Sequence, residues 1–219
     1  MKKLDVPQSG SQAGTTASRN RFGQYDRTRA NPVQPRSTAQ GLVRGRMAAN
    51  AALWRTLTSD GRAGWTSLGQ SMVRHDSLGQ AYTLTGFMAF CSVNNILAAM
   101  GNAGVTAAPA LVTPPSILTA TVTWTAGTFS VAYTATPLGA GARLMVYCSP
   151  QRSAGRAYEG DYRLILVSSA AQASPVNPLS AYTSKFGSPV VGNRIFLTLQ
   201  VATSGFLSGP FTTSSVVTA

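Results

Sequence analysis

The sequence predicts an α+β protein in three parts: an extended basic N-terminal arm, about three short helices, and a C-terminal antiparallel β-sandwich. Three observations carry that expectation. Residues 1–37 show no apolar period, apolar side chains then recur at helical spacing, and beyond residue 117 the period changes to two. The boundaries that follow are 1–37 for the arm, 38–106 for a helical unit, 107–116 for a linker and 117–219 for the sandwich.

The arm is rich in Gly, Ser, Gln, Asn, Pro and Arg, and Phe22, Tyr25 and Val33 are among its few bulky apolar side chains. Such a segment cannot bury enough apolar surface to build a core of its own. Pro32 and Pro35 hold the residues before them extended, so 30–36 is expected to run as a strap.

Helical spacing begins after Ser37 and Thr38, either of which can cap a helix. Val43, Met47, Ala51, Trp54 and Leu57 then fall on one stripe, which predicts a helix over about 38–57. Thr58, Ser59 and Asp60 offer a second cap before Trp65, Leu68 and Met72. Thr85 offers a third, with Phe87, Phe90, Cys91, Asn94, Leu97 and Ala98 along one face and Gly101 as the stop. Ala107 to Pro115 is rich in Pro and Ala and reads as a connection.

Strand signals follow. Leu118, Ala120, Val122 and Trp124 alternate with threonines, and Phe129, Val131 and Tyr133 alternate after a turn at Ala126 and Gly127, which together predict a hairpin. Further β-rich runs lie at 143–148, 162–168, 194–201 and 211–217. About seven short strands at this spacing point to a two-sheet sandwich of immunoglobulin or fibronectin III type.

Charge is sparse and uneven. Lys and Arg number 18 against 6 acidic residues, and no charged side chain occurs in the 66 residues from Ser77 to Ala142. A surface so poor in charge repulsion suits coverage by neighbouring subunits. Residues 1–76 carry a net +8 and the remainder +4, so the N-terminal third is the expected contact region for acidic or phosphate-bearing partners. The start Met-Lys-Lys-Leu-Asp-Val-Pro lacks the apolar run of an export signal, and no apolar stretch is long enough to span a bilayer. Synthesis in the cytoplasm and no membrane partner are therefore expected.

Catalytic chemistry finds little support, and an enzyme is not expected. His75 is the only histidine and reads as part of a polar turn between Arg74 and Asp76. Cys91 and Cys148 fall in different elements and read as buried free thiols, with a single bridge as the alternative. Glu159 and Asp161 flank Gly160 in what reads as a solvated turn. Gly139 and Gly141 lack the third glycine and the helix of a dinucleotide site. No metal, cofactor or small-molecule substrate is expected.

The informative constellation is the arm itself. Arg19, Arg21, Arg27 and Arg29 recur at two-residue spacing and, on an extended strap, would point to one side, with Phe22 and Tyr25 as apolar pegs and Arg36, Gln40 and Arg44 continuing the series. These nine residues form the expected partner-binding set. Guanidinium groups clamp carboxylates or carbonyls bidentately, and they equally follow a phosphate backbone with aromatic stacking.

At these residues the chain resembles a group of uncharacterised proteins encoded by phages and prophages, in which a basic arm with an Asn-Pro, Pro-Arg and Ala-Gln pattern precedes a Trp-containing helix. The matching positions are Arg27, Asn31, Pro32, Pro35, Arg36, Ala39, Gln40, Arg44 and Trp54, followed by Leu57, Thr58, Arg62 and Trp65, so the resemblance covers roughly residues 18–100. It implies a structural virion protein, capsid-associated, decoration or tail, whose partners are copies of itself and other virion proteins. Nucleic acid, contacted through the basic arm, is the alternative partner. A secreted adhesive or carbohydrate-binding sandwich is a third class, and it needs an export route that the N-terminus does not show.

Overall fold

The computed structural model describes residues 8–20, 23–30, 33–76, 78–125, 127–134 and 136–219. The chain forms two compact units, residues 1–43 and 44–219.

In the first unit, β1 (Gly10–Gln12), β2 (Thr15–Asn20) and β3 (Gly23–Thr28) pair antiparallel in the order β1-β2-β3. This differs from the single extended strap expected of the arm. The chain doubles back because Ala13, at φ 50, and Gly14 close a two-residue turn, and because Thr15 and Thr16 favour the pleated backbone. Polar contacts reinforce the ladder: the hydroxyls of Ser11 and Thr16 lie 2.8 Å apart, and the Gln8 N–H donates to Gln24 Oε1 at 3.0 Å. Gln24 is the one described residue buried in this unit, so among the described residues no apolar side chain is buried in the sheet. The expected strap over 30–36 lies partly outside the described residues, at Asn31 and Pro32. Within it Arg36 adopts φ 49, a left-handed turn in place of uniform extension.

Helix α1 (Thr38–Thr56) starts in the first unit and runs into the second. None of its residues is buried, and Leu42, Val43 and Met47 are 52%, 57% and 41% exposed. Its cover is partial: Gln40, Arg46, Asn50, Ala51, Leu53 and Trp54 are half-buried, and Trp54 meets the rings of Phe87 and Phe90.

In the second unit, α2 (Ser59–Ser71) is capped by the Thr58 side chain, which accepts from the Gly61 N–H. β4 (Val73–His75) and β5 (Ala81–Thr83) form a small hairpin, and α3 (Gly86–Ala99) is capped by Thr85. His75 thus sits in a strand opposite Ala81 instead of in the expected turn. Trp65, Leu68, Ala89, Phe90, Val93 and Leu97 fill the helical core. Glycines allow close approach here: a Cβ on Gly86 of α3 would stand 3.0 Å from the Thr66 backbone nitrogen of α2, and one on Gly69 of α2 would stand 2.5 Å from the Leu84 carbonyl oxygen just before α3. Asn94, buried, accepts from the Val105 N–H at 2.7 Å and donates to the Val105 carbonyl, while Trp65 Nε1 donates to the Thr106 carbonyl at 2.7 Å. These bonds pin the irregular segment that follows α3 onto the helices.

The β-rich part comprises β6 (Thr119–Trp124), β7 (Phe129–Thr134), β8 (Arg143–Cys148), β9 (Arg152–Ser153), β10 (Arg163–Val167), helix α4 (Leu179–Phe186), β11 (Asn193–Thr203), β12 (Phe206–Leu207) and β13 (Phe211–Val216). β11 is the spine of a six-stranded antiparallel sheet, with β8 then β10 to one side and β13 to the other, and with β9 and β12 at its ends. β6 and β7 pair only with each other as strands.

Alternation decides the layers. Leu144, Val146 and Cys148 of β8 and Ile195, Leu197, Leu199 and Val201 of β11 share one core with Trp124, Phe129 and Val131 of the hairpin and Tyr182 of α4. The opposite face carries Met145 and Ala202, which pack with Met100, Ile96 and Ala99 at the end of α3. Phe206 joins the helical core, and Gly205, at φ +85, lets the β11–β12 turn approach Val93 so closely that a Cβ there would lie 2.5 Å from its Cγ1.

The architecture is α+β with several antiparallel sheets and, among the described residues, four helices, one more than the three expected. α4 escapes a reading by period because its eight residues show one stripe of Leu179, Tyr182 and Phe186 amid Ser and Pro; the Asn177 side chain accepts from the Leu179 N–H at its start.

Candidate docking surface on the N-terminal arm

The β2–β3 register sorts the arm residues onto two faces. Thr16 lies opposite Arg27, Ser18 opposite Tyr25, and Arg19 opposite Gln24. Directly paired residues share a face and neighbours alternate, so Tyr25 and Arg27 lie together with Thr16, Ser18 and, through β1, Ser11. Arg19 lies on the reverse with Gln12, Gln24 and Asp26. The expectation that the arginines point to one side is therefore corrected. In an uninterrupted strand all odd positions share a side, but the hairpin pairs 19 with 24 and so inverts the parity between its arms.

The remaining members of the expected set are dispersed. Arg21 and Phe22 lie outside the described residues. Arg29 follows β3, exposed, with its backbone N–H donating to the Gly14 carbonyl at 2.8 Å. Arg36 holds the left-handed turn before α1. Gln40 and Arg44 are one helical turn apart on α1, where the Gln40 N–H donates to Ser37 Oγ at 3.3 Å. What the structure assembles from this set is the pair Tyr25 and Arg27, Tyr25 half-buried and Arg27 exposed.

Ser11, Thr16 and Ser18 were not foreseeable as members of the surface. They belong to it only through register, which a polar strand with no buried face does not announce. Ser11, Thr16 and Arg27 form one cross-strand row, and Ser18 and Tyr25 the next. The bond between the Ser11 and Thr16 hydroxyls uses one of their two protons, which leaves the other to donate to a ligand.

The acidic pair at Glu159 and Asp161 is a correction of a different kind. Glu159 is buried, not solvated: it accepts a hydrogen bond from Arg152 Nε, lies 3.6 Å from Arg156 Nε, and takes the backbone N–H groups of Gly160 and Asp161 at 2.9 and 3.0 Å. The Arg152 bond, followed by these backbone donors, holds its carboxyl down at about 2. The loop uses the carboxylate as a structural anchor. Cys91 and Cys148 are free and buried, and burial pushes both thiols up. Among the described residues no three His, Cys, Asp or Glu side chains come together as a metal site, and no helix is long and apolar enough to cross a membrane.

No protein-family model, curated protein or solved structure matches the chain.

Proposed function

We propose that the protein is a non-enzymatic structural component of a virion, capsid-associated, decoration or tail, made in the host cytoplasm and held in the particle by its arm and first helix. The observation that carries this reading is that from Gln8 to Leu57 no described apolar side chain is buried, although the segment contains a three-stranded sheet and a 19-residue helix. A sheet and a helix that bury no described apolar side chain gain little from their own packing. A surface supplied by neighbouring copies or other virion proteins gives that segment something to pack on. The phage and prophage resemblance at Arg27, Pro35, Arg36, Gln40, Arg44 and Trp54 supports the same setting. Within this reading the C-terminal part is a β-sandwich of immunoglobulin or fibronectin III type, with the β6–β7 hairpin as its reduced second layer.

Deleting residues 1–36 tests the proposal. The shortened protein is expected to keep cooperative unfolding of its C-terminal part and to be absent from purified particles. Particles that incorporate it at the normal level would overturn the reading.

A further inference from the structure

We infer that the Tyr25–Arg27 face of the arm sheet binds a nucleic-acid strand. The inference rests on the arm being the docking element, as proposed above, and specifies the chemistry of the partner on that face.

The first argument is charge. Arm arginines that docked on a second copy would find few carboxylates there, since residues 44–219 offer four, against eleven Lys and Arg. Glu159 is buried between arginines, and Asp161 pairs with Arg163 at 3.0 Å. Asp76 accepts the Leu78 and Gln80 N–H groups at 2.8 and 2.9 Å. Asp60 stands in the first turn of α2, where a carboxylate complements the helix dipole. Residues 44–219 thus leave no acidic patch to receive a guanidinium cluster. With the chain at a net +12, copies repel electrostatically, so the partner of the basic face brings its own negative charge. Contacts between copies fall instead to apolar groups such as Leu42, Val43 and Met47 on α1.

The second argument is geometry. The face presents a guanidinium, three hydroxyls and one aromatic ring in two adjacent cross-strand rows, and among the described residues no carboxylate lies on it, since Asp26 lies on the reverse. Hydroxyls and Arg are the side chains that bond phosphate and sugar oxygens. An aromatic ring on a sheet, beside Arg, is a platform on which an unpaired base stacks. An acidic peptide would use the arginine and leave Tyr25 and the hydroxyl row without a specific partner, so the single-stranded polyanion fits the whole face better.

Fluorescence anisotropy of the full-length protein tests this with three labelled probes: an oligothymidylate, a duplex of equal length and polyglutamate of matched charge. Titrations at about 50 and about 200 mM salt give the slope that counts neutralised phosphates. The single strand is expected to bind tightest. Tyr25→Ala should weaken that binding roughly 5- to 150-fold, the range for losing one base stack. Arg27→Gln should lower the salt slope by about one, and Arg19→Gln, the same charge change on the reverse face, by less. Thermal unfolding of each variant verifies that folded proteins are compared.

Absence of binding at the lower salt overturns the inference, as does tighter binding of polyglutamate, which would assign the face to an acidic protein. Equal effects of Arg19→Gln and Arg27→Gln overturn the choice of face, and a duplex bound as tightly as the single strand with Tyr25→Ala silent overturns the stacking. Loss of particle incorporation on deleting the arm, with no oligonucleotide binding, would sink this inference and leave the proposed function standing.

Discussion

The described residues of 10–28 and the β-rich part of 44–219 both form antiparallel sheet. They differ in what lies on the sheet faces. β11 buries Ile195, Leu197, Leu199 and Val201 to 1% exposure or less, whereas β2 and β3 bury one glutamine between them. A net backbone hydrogen bond contributes about 0.5–1.5 kcal/mol, and fixing a residue's backbone costs about 1–2 kcal/mol, so a ladder alone roughly breaks even. Apolar burial is what separates a self-sufficient sheet from one that waits for a partner.

The largest effect that tests this contrast is Trp65→Ala. Trp65 is fully buried, meets Phe90 edge to face at a centroid distance of 5.1 Å and donates to the Thr106 carbonyl. Its removal is expected to cost about 3–5 kcal/mol of stability in denaturant unfolding. A loss under about 1 kcal/mol would mean that the helical core is not what holds the second unit together.

Much of the second unit was legible in the sequence because burial writes a period into the chain. The helix starts at Thr58 and Thr85 were readable from capping chemistry, the 119–124 and 129–134 hairpin from alternation, and the strands at 143–148 and 211–216 from β-rich runs, the second read to 217. Where burial is weak the sequence is silent. The arm sheet, the β4–β5 hairpin with every strand residue exposed, and α4 with one buried side chain carry no strong period. The arm residues stood out by composition, but the partition of Arg19 from Tyr25 and Arg27 depends on where the chain turns. The role of Glu159 was hidden for a related reason: nothing local shows that Arg152, seven residues earlier, folds back over it.

A smaller effect belongs to that carboxylate. Its folded pKa lies at about 2, below the ordinary value of about 4.3, so the folded state favours the charged form. The stability it contributes is therefore complete above about pH 4.3 and is lost as pH falls through that value toward about 2. The melting-temperature gap between the wild type and Glu159→Gln is expected to be widest near neutral pH and to close across this acid window. A gap that stays constant down to the bottom of it would show that the charge of Glu159 does not anchor the loop.

The smallest effect on stability is expected in the arm, and its smallness is the point. Tyr25 is half-buried on a sheet that buries no described apolar side chain, so Tyr25→Ala should change the unfolding free energy by less than about 0.5 kcal/mol, the usual range for surface substitutions. The amides of β2 and β3 should for the same reason exchange with solvent far faster than those of β8 and β11, because local opening of the arm exposes no buried apolar surface. Hydrogen exchange on the full-length protein, alone and inside the particle, reads this directly. Slow exchange in the dilute free chain would mean that the ladder is stable by itself, whereas protection that appears only on assembly ties the order of the arm to the surface on which it docks.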